Sequence, residues 1–148
     1  MTSQASQEGR GLRIALWTVQ IVLAAVFMMS GAIKVFTSPA DLVKAAPDFA
    51  TMGLGLIRFI GIAELAGAIG LILPALTRIA PSLTPLAASA LAVVMLLAAI
   101  FHISRGEIAH LGVVIPLGAL ACFVAWGRFK RARIVPRARR DGPHLQKS

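Results

Sequence analysis

Residues 58–74, RFIGIAELAGAIGLILP, form an apolar run with a glutamate, Glu64, near its centre. The run is too apolar to face water, and a carboxylate in its middle is too costly to leave against hydrocarbon. Any fold must therefore cover one side of this segment and give Glu64 a partner. A carboxylate at that depth is accommodated by protonation, by pairing with a cation, or by contact with a polar ligand.

The rest of the chain repeats the first half of that problem. Hydrophobic residues make up 57% of the sequence and charged ones 14%, against about a quarter charged in soluble domains. Apolar stretches cover residues 14–36, 54–73, 83–103 and 108–126. At about 1.5 Å per helical residue, each crosses a hydrocarbon layer of about 30 Å. None alternates with period two, as barrel strands would. The sequence predicts an all-α fold: an antiparallel four-helix transmembrane bundle, its helices joined by short loops.

Around these spans, residues 1–12 read as a polar, disordered N-tail, 13–128 as the membrane domain, and 129–148 as a basic C-tail. Residues 37–53 read as a polar loop with one short interfacial helix, and 77–85 as a tight connector holding Pro81 and Pro85. Proline should stop the second span at Pro74 and kink the fourth at Pro116. Arg10 and Arg13, followed by Ser30, Gly31 and Ala32, resemble a secretory signal. The apolar stretch outruns an h-region and passes that site, so the segment is read as a retained span.

The formal charge of +9 is concentrated near the C-terminus. With both termini in the cytoplasm, eleven basic residues lie on that side and Lys34, Lys44, Arg58 and Arg105 on the other. The positive-inside rule then predicts an N-in, C-in protein of the cell membrane. The tail from Arg128 is expected to meet anionic lipid head groups. Nucleic acid is not expected as a partner, because Phe129 is the tail's only aromatic. Cys122 is a lone cysteine, which excludes an internal disulfide and any C-x-x-C redox motif.

On a helical projection of the second span, Gly61, Ala63, Glu64, Ala66, Gly67, Ala68 and Gly70 share one broad face, and Ile62, Leu65, Ile69, Ile72 and Leu73 the other. Small residues let backbones approach, so the first face should pack on neighbouring helices and carry Glu64 inward. Arg58 lies six residues away, about 120° around the helix, and does not pair with Glu64 directly. Partners must come from other spans: Lys34 and Ser30 on the first, and His102 on the third, with Arg105, Glu107 and His110 near the mouth. Glu64, Lys34, His102 and Arg58 are thus the candidate ligand-pocket or proton-relay residues. They form either a polar pocket open to the outside or a buried network that fixes helix register. No metal site is expected, since His102, Glu107 and His110 straddle a glycine-containing turn. No G-x-S-x-G nucleophile motif is present, and no catalytic residue is assigned.

Several stretches carry a family likeness: SGAIKVF closing the first span, GIAELAGAIGLILP in the second, TRIAPSLTPLAASALAVVMLLAAIFHISRGE through the third, and VAWGR after the fourth. Over residues 12–128 the chain resembles the DoxX-like family of small four-helix membrane proteins. Lys34, Glu64, Arg78 and His102 fall at positions resembling that family's recurring polar residues. The resemblance implies a bundle in the cytoplasmic membrane without implying one activity. Relatives include subunits of thiosulfate:quinone oxidoreductase and of redox-linked membrane complexes, and a broader animal branch includes an assembly chaperone for acetylcholine receptors. The chain lacks the cysteine pair of thiol-active look-alikes.

Three functions compete. An accessory, non-catalytic membrane subunit would dock a protein partner, or a second copy, through its small-residue faces and its basic tail; it should tolerate Glu64→Gln. A quinone-linked oxidoreductase subunit would gather Glu64, Lys34 and His102 around a lipophilic head group, quinone being the one cofactor suggested. A carrier for a small apolar or weakly acidic molecule would use Glu64 as its switch.

Overall fold

The computed structural model describes residues 2–136, with side chains from residue 9 onward. Its helices are α1 (Thr2–Phe36), α2 (Pro39–Ala45), α3 (Leu54–Thr77), α4 (Leu83–Ser104) and α5 (Ile108–Trp126). A 3-10 turn, Pro47–Thr51, follows α2, and a π-helical turn, Gly127–Arg131, follows α5. Among the described residues, α1, α3, α4 and α5 are long and apolar enough to cross a membrane. They pack antiparallel, α1 on α3, α3 on α4 and α4 on α5, with a lighter contact of α1 on α5. The α2 connection and the α4–α5 turn therefore share one end of the bundle, the loop end. The α3–α4 connector and the exit of α5 share the other, the terminal end.

The core is a thin seam. Leu23 and Phe27 of α1 meet Ala68 and Leu71 of α3, Ala88, Leu91 and Met95 of α4, and Ala121 and Val124 of α5. Large apolar side chains point outward instead, among them Ile62, Ile69, Leu73, Val93, Leu97, Ile100 and Ile115. Exposed surface of this kind would aggregate in water and suits lipid. On α3, Gly61, Glu64, Gly67 and Ala68 are buried and Ile62, Ile69 and Leu73 exposed, as the projection predicts. Ala66 is exposed and Leu71 buried, because the inward face is rotated toward the 61–64–68–71 line.

Two expectations are corrected. Residues 2–12 are helical rather than disordered, since α1 begins at Thr2. Gln4, Ala5, Gln7, Glu8 and Arg10 are good helix formers, and extending an existing helix avoids the cost of a new nucleus. The second span also passes Pro74 and ends at Thr77. Pro74 removes its own donor bond and crowds the Gly70 carbonyl, but only one turn of helix remains beyond it. The last turn is closed by the Thr77 hydroxyl donating to the Leu73 carbonyl at 2.8 Å and the Arg78 N–H donating to Pro74 at 3.0 Å. Arg78 itself adopts the left-handed conformation, φ 57°, which ends the helix. α5 runs through Pro116 without a break. Residues 137–148, the larger part of the expected basic tail, lie outside the described residues.

At the loop end α2 has a reciprocal cap. The Ser38 hydroxyl accepts from the Asp41 N–H at 3.2 Å and donates to the Asp41 carboxylate at 2.6 Å. That hydroxyl, with Lys44, holds the Asp41 carboxyl below its ordinary value. Ser38→Ala should cost about 1 kcal/mol of local α2 stability. It should appear as faster amide hydrogen exchange at Asp41 and Leu42, with unfolding of the bundle unchanged.

Candidate functional site

The position of Glu64 follows from a backbone crossing. A Cβ built on Gly31 would lie 2.7 Å from the Gly61 carbonyl oxygen, and one on Gly61 would lie 2.7 Å from the Lys34 Cβ. Only hydrogen fits at both positions, so α1 and α3 touch there almost backbone to backbone. Lys34 lies beside Gly61, and its side chain runs back along α1 past Ser30 to reach Glu64, one turn further along α3.

The Lys34 ammonium donates to both Glu64 oxygens, at 2.8 and 3.0 Å, and to the Ser30 hydroxyl at 2.5 Å. Its three protons thus have three acceptors. The Glu64 side chain is 4% exposed and that of Lys34 16%, so the pair is enclosed between helices and neutral as a unit. Arg58 stands one layer outward. Its guanidinium donates to the backbone carbonyls of Lys34 and Thr37, the latter at 2.8 Å. Lys34 is in the last turn of α1 and Thr37 is the residue just past it, where carbonyls have no intrahelical partner. Chemically, the pair is a strong polar tie between α1 and α3.

His102 belongs to a second cluster, at the loop end. Its Nδ1 shares a 2.7 Å hydrogen bond with Glu107, whose other oxygen accepts from the Arg105 guanidinium at 2.5 Å. Arg105, and after it His102, hold the Glu107 carboxyl below the usual carboxylate range. Gly106, at φ 71°, makes the turn that folds Glu107 back over the last turn of α4. The His110 ring, on the first turn of α5, stacks on that of His102 with centroids 4.5 Å apart and planes 9° from parallel. Asp48, from the 3-10 turn, reaches the His110 ring at 3.6 Å.

The four predicted site residues therefore divide. Lys34, Glu64 and Arg58 assemble with Ser30, and Arg58 avoids Glu64 as expected. His102 turns instead to the residues expected at the mouth.

Sequence reasoning missed a third cluster, at the terminal end. Gln20 is fully buried and Arg128 is 4% exposed. The Arg128 Nε donates to the Gln20 side-chain oxygen at 3.0 Å, and the Gln20 amide donates to the Leu71 carbonyl of α3. The guanidinium also lies 5.1 Å from the centre of the Trp17 ring, a cation–π contact. Arg128 is thus a buried tie from α5 to α1, not the first of the lipid-facing tail residues. A signal existed: Gln20 shares the inward stripe of α1 with Leu16, Leu23 and Phe27, and a glutamine there requires a polar partner.

Four apolar spans packed antiparallel around enclosed polar ties define a multi-pass integral membrane protein. The chain belongs to the DoxX-like family, whose sequence profile matches residues 18–124 and so takes in all four spans and the Lys34–Glu64 pair. No curated protein and no solved structure matches it.

Proposed function

We propose that this DoxX-like protein is an accessory, non-catalytic membrane subunit that docks a transmembrane helix of another protein on its α4–α5 face. The observation that carries this reading is how little of that face the chain covers. Of their spanning windows, α4 and α5 bury 17% each, against 39% for α3. Between them runs a groove of about 460 Å³ in which the small residues Ala99, Gly118 and Ala119 lie beside the larger Met95, Leu96 and Ile115. Small residues at a helix pair's outer surface are what a further helix packs against in lipid, where close van der Waals approach replaces the hydrophobic drive.

In this reading the polar cluster around Glu64 holds α1 on α3, away from the docking face. Both termini lie in the cytoplasm, as the distribution of basic residues favours. Lys130, Arg131 and Arg133 then meet anionic head groups at the terminal end.

Native mass spectrometry of the protein, extracted gently from its own membrane, tests the proposal. The expected result is a stoichiometric protein partner that is lost in Ala119→Phe and kept in Glu64→Gln. Ala119 is exposed, so the bulky variant fills the groove without entering the core. A dimer mass would identify the partner as a second copy. A bound quinone that disappears in Glu64→Gln, or a bare chain, would overturn the accessory reading, the first in favour of a redox subunit.

A further inference from the structure

We propose that Asp48, His102, Glu107 and His110 form a binding site for a divalent transition-metal ion at the loop end of the bundle. The four side chains come from separate pieces of chain: the 3-10 turn, the end of α4, the α4–α5 turn and the start of α5. One ligand atom from each lies within 4.8 Å of the other three. The sequence argument against a metal counted three donors spread across a turn. The fold supplies the fourth, Asp48, from more than fifty residues upstream and stacks the two imidazoles, so that ligation by both requires the accessible His110 ring to turn out of the stack.

Geometry favours an ion of moderate size. At metal–ligand bonds of about 2.0–2.2 Å, ligand atoms around a tetrahedral ion sit about 3.3–3.6 Å apart. A separation of 4.8 Å must therefore contract by about 1.2–1.5 Å, within the reach of a side-chain rotation. His110, with a side chain 51% exposed, and Asp48, at 27%, have the room to make that movement. His102 and Glu107, at 17% each, are the fixed half of the site.

Donor chemistry selects the class of ion. Two imidazoles and two carboxylates suit zinc and its first-row neighbours, whereas magnesium and calcium prefer all-oxygen shells. Two carboxylates match the charge of a dication. Arg105, bound to one Glu107 oxygen, fixes the carboxylate plane, the outer-shell support that metal ligands commonly have, and the other oxygen would exchange its hydrogen bond with His102 for the ion. A bound ion would cross-link the α2 connection to the α4–α5 hairpin, segments that meet at this end through polar side chains.

The test uses the full-length, tag-free chain in detergent, stripped with chelator and titrated with Zn²⁺ or Co²⁺ alone. The site predicts one equivalent of metal by elemental analysis, visible ligand-field bands from bound Co²⁺, and a Zn²⁺-dependent rise in melting temperature. Asp48→Asn and His110→Gln, both on accessible side chains, should keep the helical circular dichroism and lower affinity at least ~10-fold each. Less than stoichiometric binding at micromolar free metal, or affinity unchanged in both variants, would overturn the site and leave the cluster a polar clasp between loops.

Discussion

Lys34→Met should destabilise the bundle by about 3–5 kcal/mol, the usual cost of stripping one partner from an enclosed ion pair. The variant leaves the Glu64 carboxylate, 4% exposed, facing a thioether across the α1–α3 seam. Ser30 alone cannot replace the charge. Equilibrium unfolding in mixed micelles measures the loss. A neutral interhelical hydrogen bond in a membrane protein averages only about 0.6 kcal/mol, so the size of the effect distinguishes a stranded charge from a lost hydrogen bond. The double variant Lys34→Met/Glu64→Leu should recover most of the stability, because a well-packed apolar pair often equals or exceeds the ion pair it replaces. Simple additivity of the two changes would mean that the residues do not interact.

Gly31→Val is expected to have the other large effect. Its first added carbon would meet the Gly61 carbonyl oxygen at 2.7 Å and Leu65 Cγ at 2.9 Å, and a backbone oxygen cannot rotate aside. Overpacking of this kind costs about 1–3 kcal/mol. Here the helices must also part at the level that sets the Lys34–Glu64 distance, so part of the ion pair is lost with the crossing. The two effects should be coupled: in a Lys34→Met/Glu64→Leu background, Gly31→Val should cost measurably less. Gly55 is the control, because nothing lies within 4 Å of a Cβ placed there. Gly55→Ala should be neutral or slightly stabilising. Equal behaviour of the two glycines would remove the close crossing from the account.

What the sequence revealed and what it hid have separate physical causes. The existence of four spans was legible because a bilayer imposes a length on apolar runs, and α1, α3, α4 and α5 each hold one such run. The inward turn of Glu64 was legible for a similar reason, since the small residues around it lie on one side of the helix. Its choice of Lys34 over His102 was not. That choice depends on where α1 crosses α3, and Gly31 and Gly61 reveal the crossing only once the helices are paired. Asp48 was hidden for a related reason. A carboxylate in a polar loop resembles any solvated side chain until the fold brings His110 beside it. Arg128 was misread because it opens a run of basic residues, and its neighbours suggested a surface that its own side chain does not share.

The charge pair also gives meaning to the order in which the chain is made. Lys34 precedes Glu64 by 30 residues, so the cation leaves the ribosome first and lies in α1 when α3 arrives. A helix with a lone acid at its middle partitions poorly into hydrocarbon, by about 2.5–3.5 kcal/mol for such a residue on insertion scales. Beside a waiting ammonium, that acid enters the lipid as half of a pair with no net charge. In this protein the earlier span thus acts as a local solvent for the later one.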